Sequence, residues 1–177
     1  MVLEEVLKMD ALLVLNPQNS FFSEGGSVYM GNKSYILRIR LKDYMSSFSK
    51  PKIFFREKHA LDDEFFANDK THSIATSNDF QVHDDLKPYA DLFYDKTRYS
   101  ALYNTQLDEY LKRNCYKEIG LVGVETHTSI LFTAEDLRNR GYDVTVIEPC
   151  VVARDNFFHD SAINLMRNFL GVKIANE

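Results

Sequence analysis

The chain is poor in the features that would assign it quickly to several large classes. It has two cysteines, Cys115 and Cys150, in 177 residues. Two thiols make no disulfide framework, which excludes the stapled secreted scaffolds. It has no apolar run of the ~20 residues that a membrane-spanning helix needs. It lacks an excess of positive charge: 21 Lys and Arg face 26 Asp and Glu, for a net charge of -5 and a pI near 5.6. The basic footprint of a nucleic-acid binder is therefore missing. The stretch from Met1 to Asp10 carries acids and has no hydrophobic h-region, so it does not read as a secretory signal. Repeats, linkers and low-complexity tracts are also wanting, which leaves one domain over residues 1–177. These absences lead to the expectation of a cytoplasmic protein without nucleic acid or membrane among its partners.

What is present is a globular composition, 45% hydrophobic and 27% charged. Apolar runs of strand length alternate with segments of helical period. Ala11–Asn16, Lys52–Arg56, Leu92–Asp95, Ile119–Val124 and Val144–Ile147 read as buried strands, with a short last strand over Val172–Ala175. Tyr103, Leu107, Tyr110 and Leu111 fall at helical spacing, as do Phe158, Ala162, Leu165, Met166, Phe169 and Leu170. Ile130, Leu131, Ala134 and Leu137 make a third stripe, and Leu37, Leu41, Tyr44 and Phe48 a weaker fourth. Gly141, after Arg138 and Arg140, and Gly171 read as helix stops. The alternation predicts an α/β fold, a doubly wound, mainly parallel six-stranded sheet with helices on both faces, in three layers. From Lys58 to Lys87 the pattern lapses into a long polar loop, a length that usually signals function or disorder.

Open α/β sheets place their chemistry at the carboxyl ends of the strands, so the residues there are the candidates. Asn16 follows the first strand and precedes Pro17; by itself it reads as a turn asparagine or as a site residue. Lys96 ends the third strand, as a solvated charge or as a cation beside a reacting group. Ser129 lies in the first turn of a helix starting near Thr126, as a cap or as a nucleophile beside free backbone N–H groups. His127 is two residues away and on a helix faces elsewhere. Glu57 and His59 end the second strand on one face, and His72 comes from the long loop. A carboxylate with two imidazoles suits a divalent metal such as zinc, iron or manganese. Cys150, after Glu148 and Pro149, reads as a strand-end residue that packs or borders the same crevice.

Taken together, these phrases resemble the isochorismatase-like superfamily of cysteine hydrolases, and within it the nicotinamidases. Ala11-Leu12-Leu13-Val14-Leu15-Asn16-Pro17-Gln18-Asn19-Ser20-Phe21 is similar to the family's opening A-L-L-V-(I/V)-D-x-Q-N-D-F. Glu24-Gly25-Gly26-Ser27-Val28 is similar to the segment that follows it. Phe54 to His59 resembles the stretch ending in D-x-H, and Lys96-Thr97-Arg98-Tyr99-Ser100-Ala101-Leu102 resembles K-x-x-(Y/F)-S-A-F. Val122 to Ala134 is similar to V-x-G-(V/I)-A-T-(D/N)-x-C-V-x-x-T-A, and Gly141 to Ile147 to the strand after it.

The resemblance implies a catalytic triad at Asn16, Lys96 and Ser129, where active members hold aspartate, lysine and cysteine. It implies an oxyanion hole from backbone amides near Glu125 and Ser129, with a cis peptide before Glu125. Phe21, Glu125 and His127 then belong to the pocket rim, and Glu57, His59 and His72 to a metal site with glutamate in place of aspartate. Only Lys96 is kept among the triad positions. An asparagine does not take up a proton near neutral pH, and serine is a weak nucleophile unless a base assists it. The expectation is therefore a catalytically degenerate member that keeps fold and crevice. The alternative is an active hydrolase of a small amide, drawing its nucleophile from water at the metal trio or from Ser129 with His127 or Glu125 as base. A small-molecule ligand in the crevice and a homo-oligomer complete the reading, and no nucleotide cofactor is expected.

Overall fold

The computed structural model describes residues 8–65 and 70–176, so most of the amino-terminal stretch and part of the long loop lie outside the described residues. Strand β1 (Ala11–Leu15) leads through the short helix α1 (Asn19–Phe22) to α2 (Asn32–Ser47) and β2 (Lys52–Glu57). The polar loop carries 3-10 turns at Asn78–Phe80 and Lys87–Tyr89 before β3 (Leu92–Lys96). Then come α3 (Leu107–Arg113), β4 (Glu118–Val124), a π-turn (Thr126–Ile130) running into α4 (Leu131–Asn139), β5 (Asp143–Val152), α5 (Asn156–Asn168) and β6 (Lys173–Ala175). The sheet has six strands in the order β3-β2-β1-β4-β5-β6, and every pairing is parallel.

Strand alternation divides the core between two faces. Leu13, Leu15, Phe55 and Leu121 meet Leu107, Leu111, Ala134, Leu137, Ile163 and Met166 of α3, α4 and α5. Leu12, Val14, Phe54 and Val122 meet Phe21, Phe22, Leu37, Leu41 and Met45 of α1 and α2. Apolar residues on both faces are why the strands read as continuous runs rather than alternating ones.

The chain winds outward from β1 through β2 to β3, then returns to the other side of β1 as β4. The switch point therefore lies between the carboxyl ends of β1 and β4. Gly123 allows the two strands to approach there: its φ is 116°, and a Cβ would sit 2.1 Å from the Leu15 carbonyl oxygen. Among the described residues, no helix is long and apolar enough to cross a membrane.

Several boundaries differ from the sequence expectation. β3 is an edge strand, with Phe93 38% exposed, so its apolar run is only half-covered. Tyr103 precedes its helix, because Asn104 adopts a left-handed φ of 51° and breaks the turn. Phe169 and Leu170 lie past the end of α5, and Gly141 and Gly171 hold the positive φ expected of helix stops. β5 runs on to Val152, so Cys150 is inside a strand rather than at its end. A register slip against β4 between Leu121 and Gly123 lets Pro149 sit in that strand without a ladder N–H. Cys150 packs in the core beneath α2, and burial pushes its thiol up to about 12.

Candidate active site and metal trio

The carboxyl ends of β1, β2, β3 and β4 bring Asn16, Glu57, Lys96 and Ser129 into one buried cluster, with exposures of 1%, 3%, 1% and 0%. Asn16 leaves β1 with a left-handed φ of 55°, a conformation asparagine tolerates better than most residues. Its side chain does not bond the local turn. Asn16 Nδ2 donates to the Val124 carbonyl at 2.8 Å and to Ser129 Oγ at 3.0 Å. The Val124 carbonyl fixes the amide's orientation, since the reverse would oppose two acceptors. Asn16 Oδ1 is left buried without a hydrogen-bond partner among the described residues.

Lys96 is not a solvated charge. Its ammonium donates to Glu57 Oε1 at 2.8 Å, to Ser129 Oγ at 3.1 Å and to the Arg98 carbonyl at 3.2 Å. That uses all three of its protons. Ser129 Oγ in turn donates to Glu57 Oε1 at 3.1 Å. The hydroxyl thus accepts two hydrogen bonds and gives one, which exhausts its capacity.

Glu57 is the hub. Its Oε2 receives His72 Nε2 at 2.8 Å. Burial alone would raise its pKa, but the Lys96 ammonium and the His72 contact outweigh burial and hold the carboxyl well below the usual range. Burial lowers Lys96, and Glu57 opposes the drop. The Glu57 main chain is clamped by a residue that the sequence reading passed over. Gln18, fully buried, accepts from the Glu57 N–H at 2.6 Å and donates to the Glu57 carbonyl at 2.8 Å and the Phe80 carbonyl at 3.0 Å. Its signal was a polar amide set directly behind a buried strand and a proline.

Glu57, His59 and His72 each offer a ligand atom, all within 4.8 Å of one another. Outer partners orient both rings: His59 Nδ1 meets Asp63 Oδ2 at 3.1 Å, and His72 Nδ1 meets the Lys70 carbonyl at 2.7 Å. Histidine ligands in metal centres are usually held this way from behind. Phe21 stands edge-on to His72, with ring centres 5.4 Å apart.

The other two rim residues lie off this cluster. The Glu125 carboxylate is engaged by Arg154, at 2.9 Å through Nη2 and 3.1 Å through Nε, and by the Arg154 N–H at 3.0 Å. His127 stacks on Phe158, with ring centres 5.2 Å apart. The carboxylate in contact with Ser129 is Glu57, not Glu125. The peptide bond between Val124 and Glu125 is cis.

A parallel doubly wound sheet with polar chemistry at its switch point defines the class. The chain belongs to the isochorismatase family, whose profile, the isochorismatase domain, matches residues 10–177. Among curated relatives, an uncharacterized isochorismatase family protein, YaaI of Bacillus subtilis, is 31% identical over 88 residues, 50% of this chain and 49% of that protein. The ureidoacrylate amidohydrolase RutB of Caulobacter segnis is 32% identical over 95 residues, 52% of this chain and 40% of that protein. The chain thus spans about half the length, or less, of these relatives. Among solved structures, the nicotinamidase/pyrazinamidase PncA of Bacillus subtilis superposes with a TM-score of 0.87 at 23% identity, covering 95% of this chain and 100% of that one. The pyrazinamidase of Pyrococcus horikoshii in complex with zinc gives 0.83 at 22% identity, covering 94% and 98%.

Proposed function

We propose that this chain is a hydrolytically silent member of the isochorismatase family, keeping a metal trio and a small-molecule crevice without thiol-based amide hydrolysis. The hydrogen-bond closure of Ser129 carries this reading. Both acceptor sites of its hydroxyl are taken by Asn16 and Lys96, so no lone pair is directed at a substrate. Its proton faces a carboxylate already engaged by the Lys96 ammonium and by His72. Asn16 supplies no base, and its unpartnered Oδ1 asks instead for an N–H donor from a ligand.

For a divalent cation such as zinc, manganese or iron, Glu57, His59 and His72 are the residues that would hold it. The carboxylate and two oriented imidazoles fit such an ion, and a zinc complex is known for the pyrazinamidase neighbour. When bound, the metal would supply Lewis acidity to a ligand group beside it. Phe21 would cover the His72 side of that centre. The proposal includes a homo-oligomer, supported by the exposed Phe157, Phe158 and Phe169 and read by light scattering.

One observation favours a second reading, an active hydrolase. Glu57 Oε1 lies 3.1 Å from Ser129 Oγ, within reach for a base taking the serine proton. The depressed Glu57 pKa makes it a weak base and ranks this reading second. Ammonia release from nicotinamide and related small amides separates the two, with and without added zinc or manganese. The first reading predicts none. Turnover at the usual enzymatic ~1–1000 per second, lost in Ser129→Ala, would establish the second.

A further inference from the structure

We propose that Asn16, Lys96 and Ser129 serve as an outer shell that positions Glu57 for the metal trio. This rests on the metal reading above and gives the constellation a use other than acyl transfer. The carrying observation is the direction of its hydrogen bonds. Asn16 donates to Ser129, Ser129 donates to Glu57 Oε1, and Lys96 donates to both. The donors run toward one carboxylate oxygen, and the other oxygen is turned to His72.

The identities of Asn16 and Ser129 follow from that arrangement. An aspartate at position 16 would set a carboxylate oxygen 2.8 Å from the Val124 carbonyl, where the amide now donates. It would also add a second negative charge to a buried cluster that already holds Glu57. A neutral amide and a hydroxyl supply donors where a carboxylate and a thiolate would supply charge. Gln18 completes the device from the backbone side by fixing both main-chain groups of Glu57. Glu57 is thus held at its peptide and at Oε1, leaving Oε2 to face His72. Asn16, Lys96 and Ser129 are positioning residues in this account, acting on the metal through Glu57.

The test is metal affinity, measured by calorimetric titration of zinc and manganese into the purified full chain. Ser129→Ala and Asn16→Ala should each weaken zinc binding by roughly 10- to 100-fold, the usual cost of losing an outer-shell partner. Ser129→Thr, which restores the hydroxyl, should recover most of the loss. Cobalt substitution adds a spectroscopic reading: the visible bands should shift in Ser129→Ala and return in Ser129→Thr. Circular dichroism selects the folded variants, and Asn16→Ala serves if Ser129→Ala does not fold. Wild-type affinity and an unchanged cobalt spectrum in a folded Ser129→Ala or Asn16→Ala would overturn the shell while leaving the metal reading intact. Failure of the wild-type chain to bind either metal would overturn the metal reading itself, and the shell with it.

Discussion

Asn16 and Ser129, 113 positions apart in the chain, meet at 3.0 Å with the amide as donor and the hydroxyl as acceptor. The contact has a polarity opposite to that of a base and its nucleophile. It predicts that simple reversion fails. The variant Asn16→Asp with Ser129→Cys opposes two acceptors at Val124 and crowds Glu57 with charge. We expect a loss of about 1–3 kcal/mol, the cost of a buried unpaired polar group, and no ammonia from nicotinamide. A reverted double variant as stable as the wild type would contradict the electrostatic account.

The buried Lys96–Glu57 pair makes a second prediction. Removing one partner leaves the other charge uncompensated, so Glu57→Leu or Lys96→Met should each cost about 3–5 kcal/mol in denaturant unfolding. The double variant should cost far less than their sum. Additive losses would show that the two charges are not coupled.

Gln18 makes a third. Gln18→Leu keeps the volume and deletes the clamp, leaving the buried Glu57 N–H without its acceptor. A loss of roughly 1–3 kcal/mol is expected from thermal unfolding. Zinc affinity should fall with it, since Glu57 loses its anchor.

The buried thiol sets a pH dependence. Burial raises Cys150 from 9.0 to about 12, so the folded chain holds that proton more tightly than the unfolded one. The contribution to stability is complete below pH 9 and is lost as pH climbs through about 12. Melting temperature followed from pH 8 upward should decline over that window, less steeply in Cys150→Ala. At pH 8 a thiol reagent should modify the exposed Cys115 alone, and both cysteines after denaturation.

The sheet was legible in the sequence because both its faces are covered, and five of the six strands announce themselves as apolar runs. One of those runs, β3, was legible as a strand but not as an edge, since an apolar run does not say what covers it. Glu148 and Pro149 read as the end of β5, because local chemistry cannot show the register slip that accommodates a proline in a strand. At the site, the trio and the triad positions were visible one by one. That they share Glu57 was not. Its link to Ser129 spans 72 positions and depends on side-chain reach in the assembled core. Lys96 illustrates the same limit, since a strand-end lysine gives no local sign that it will be fully buried.

We propose that Ser129 is a hydrogen-bonding residue and not a nucleophile. This is tested most directly by incubating the chain with a small serine-reactive fluorophosphonate and measuring its intact mass. An unchanged mass is expected. A stoichiometric adduct mapped to Ser129 would contradict it.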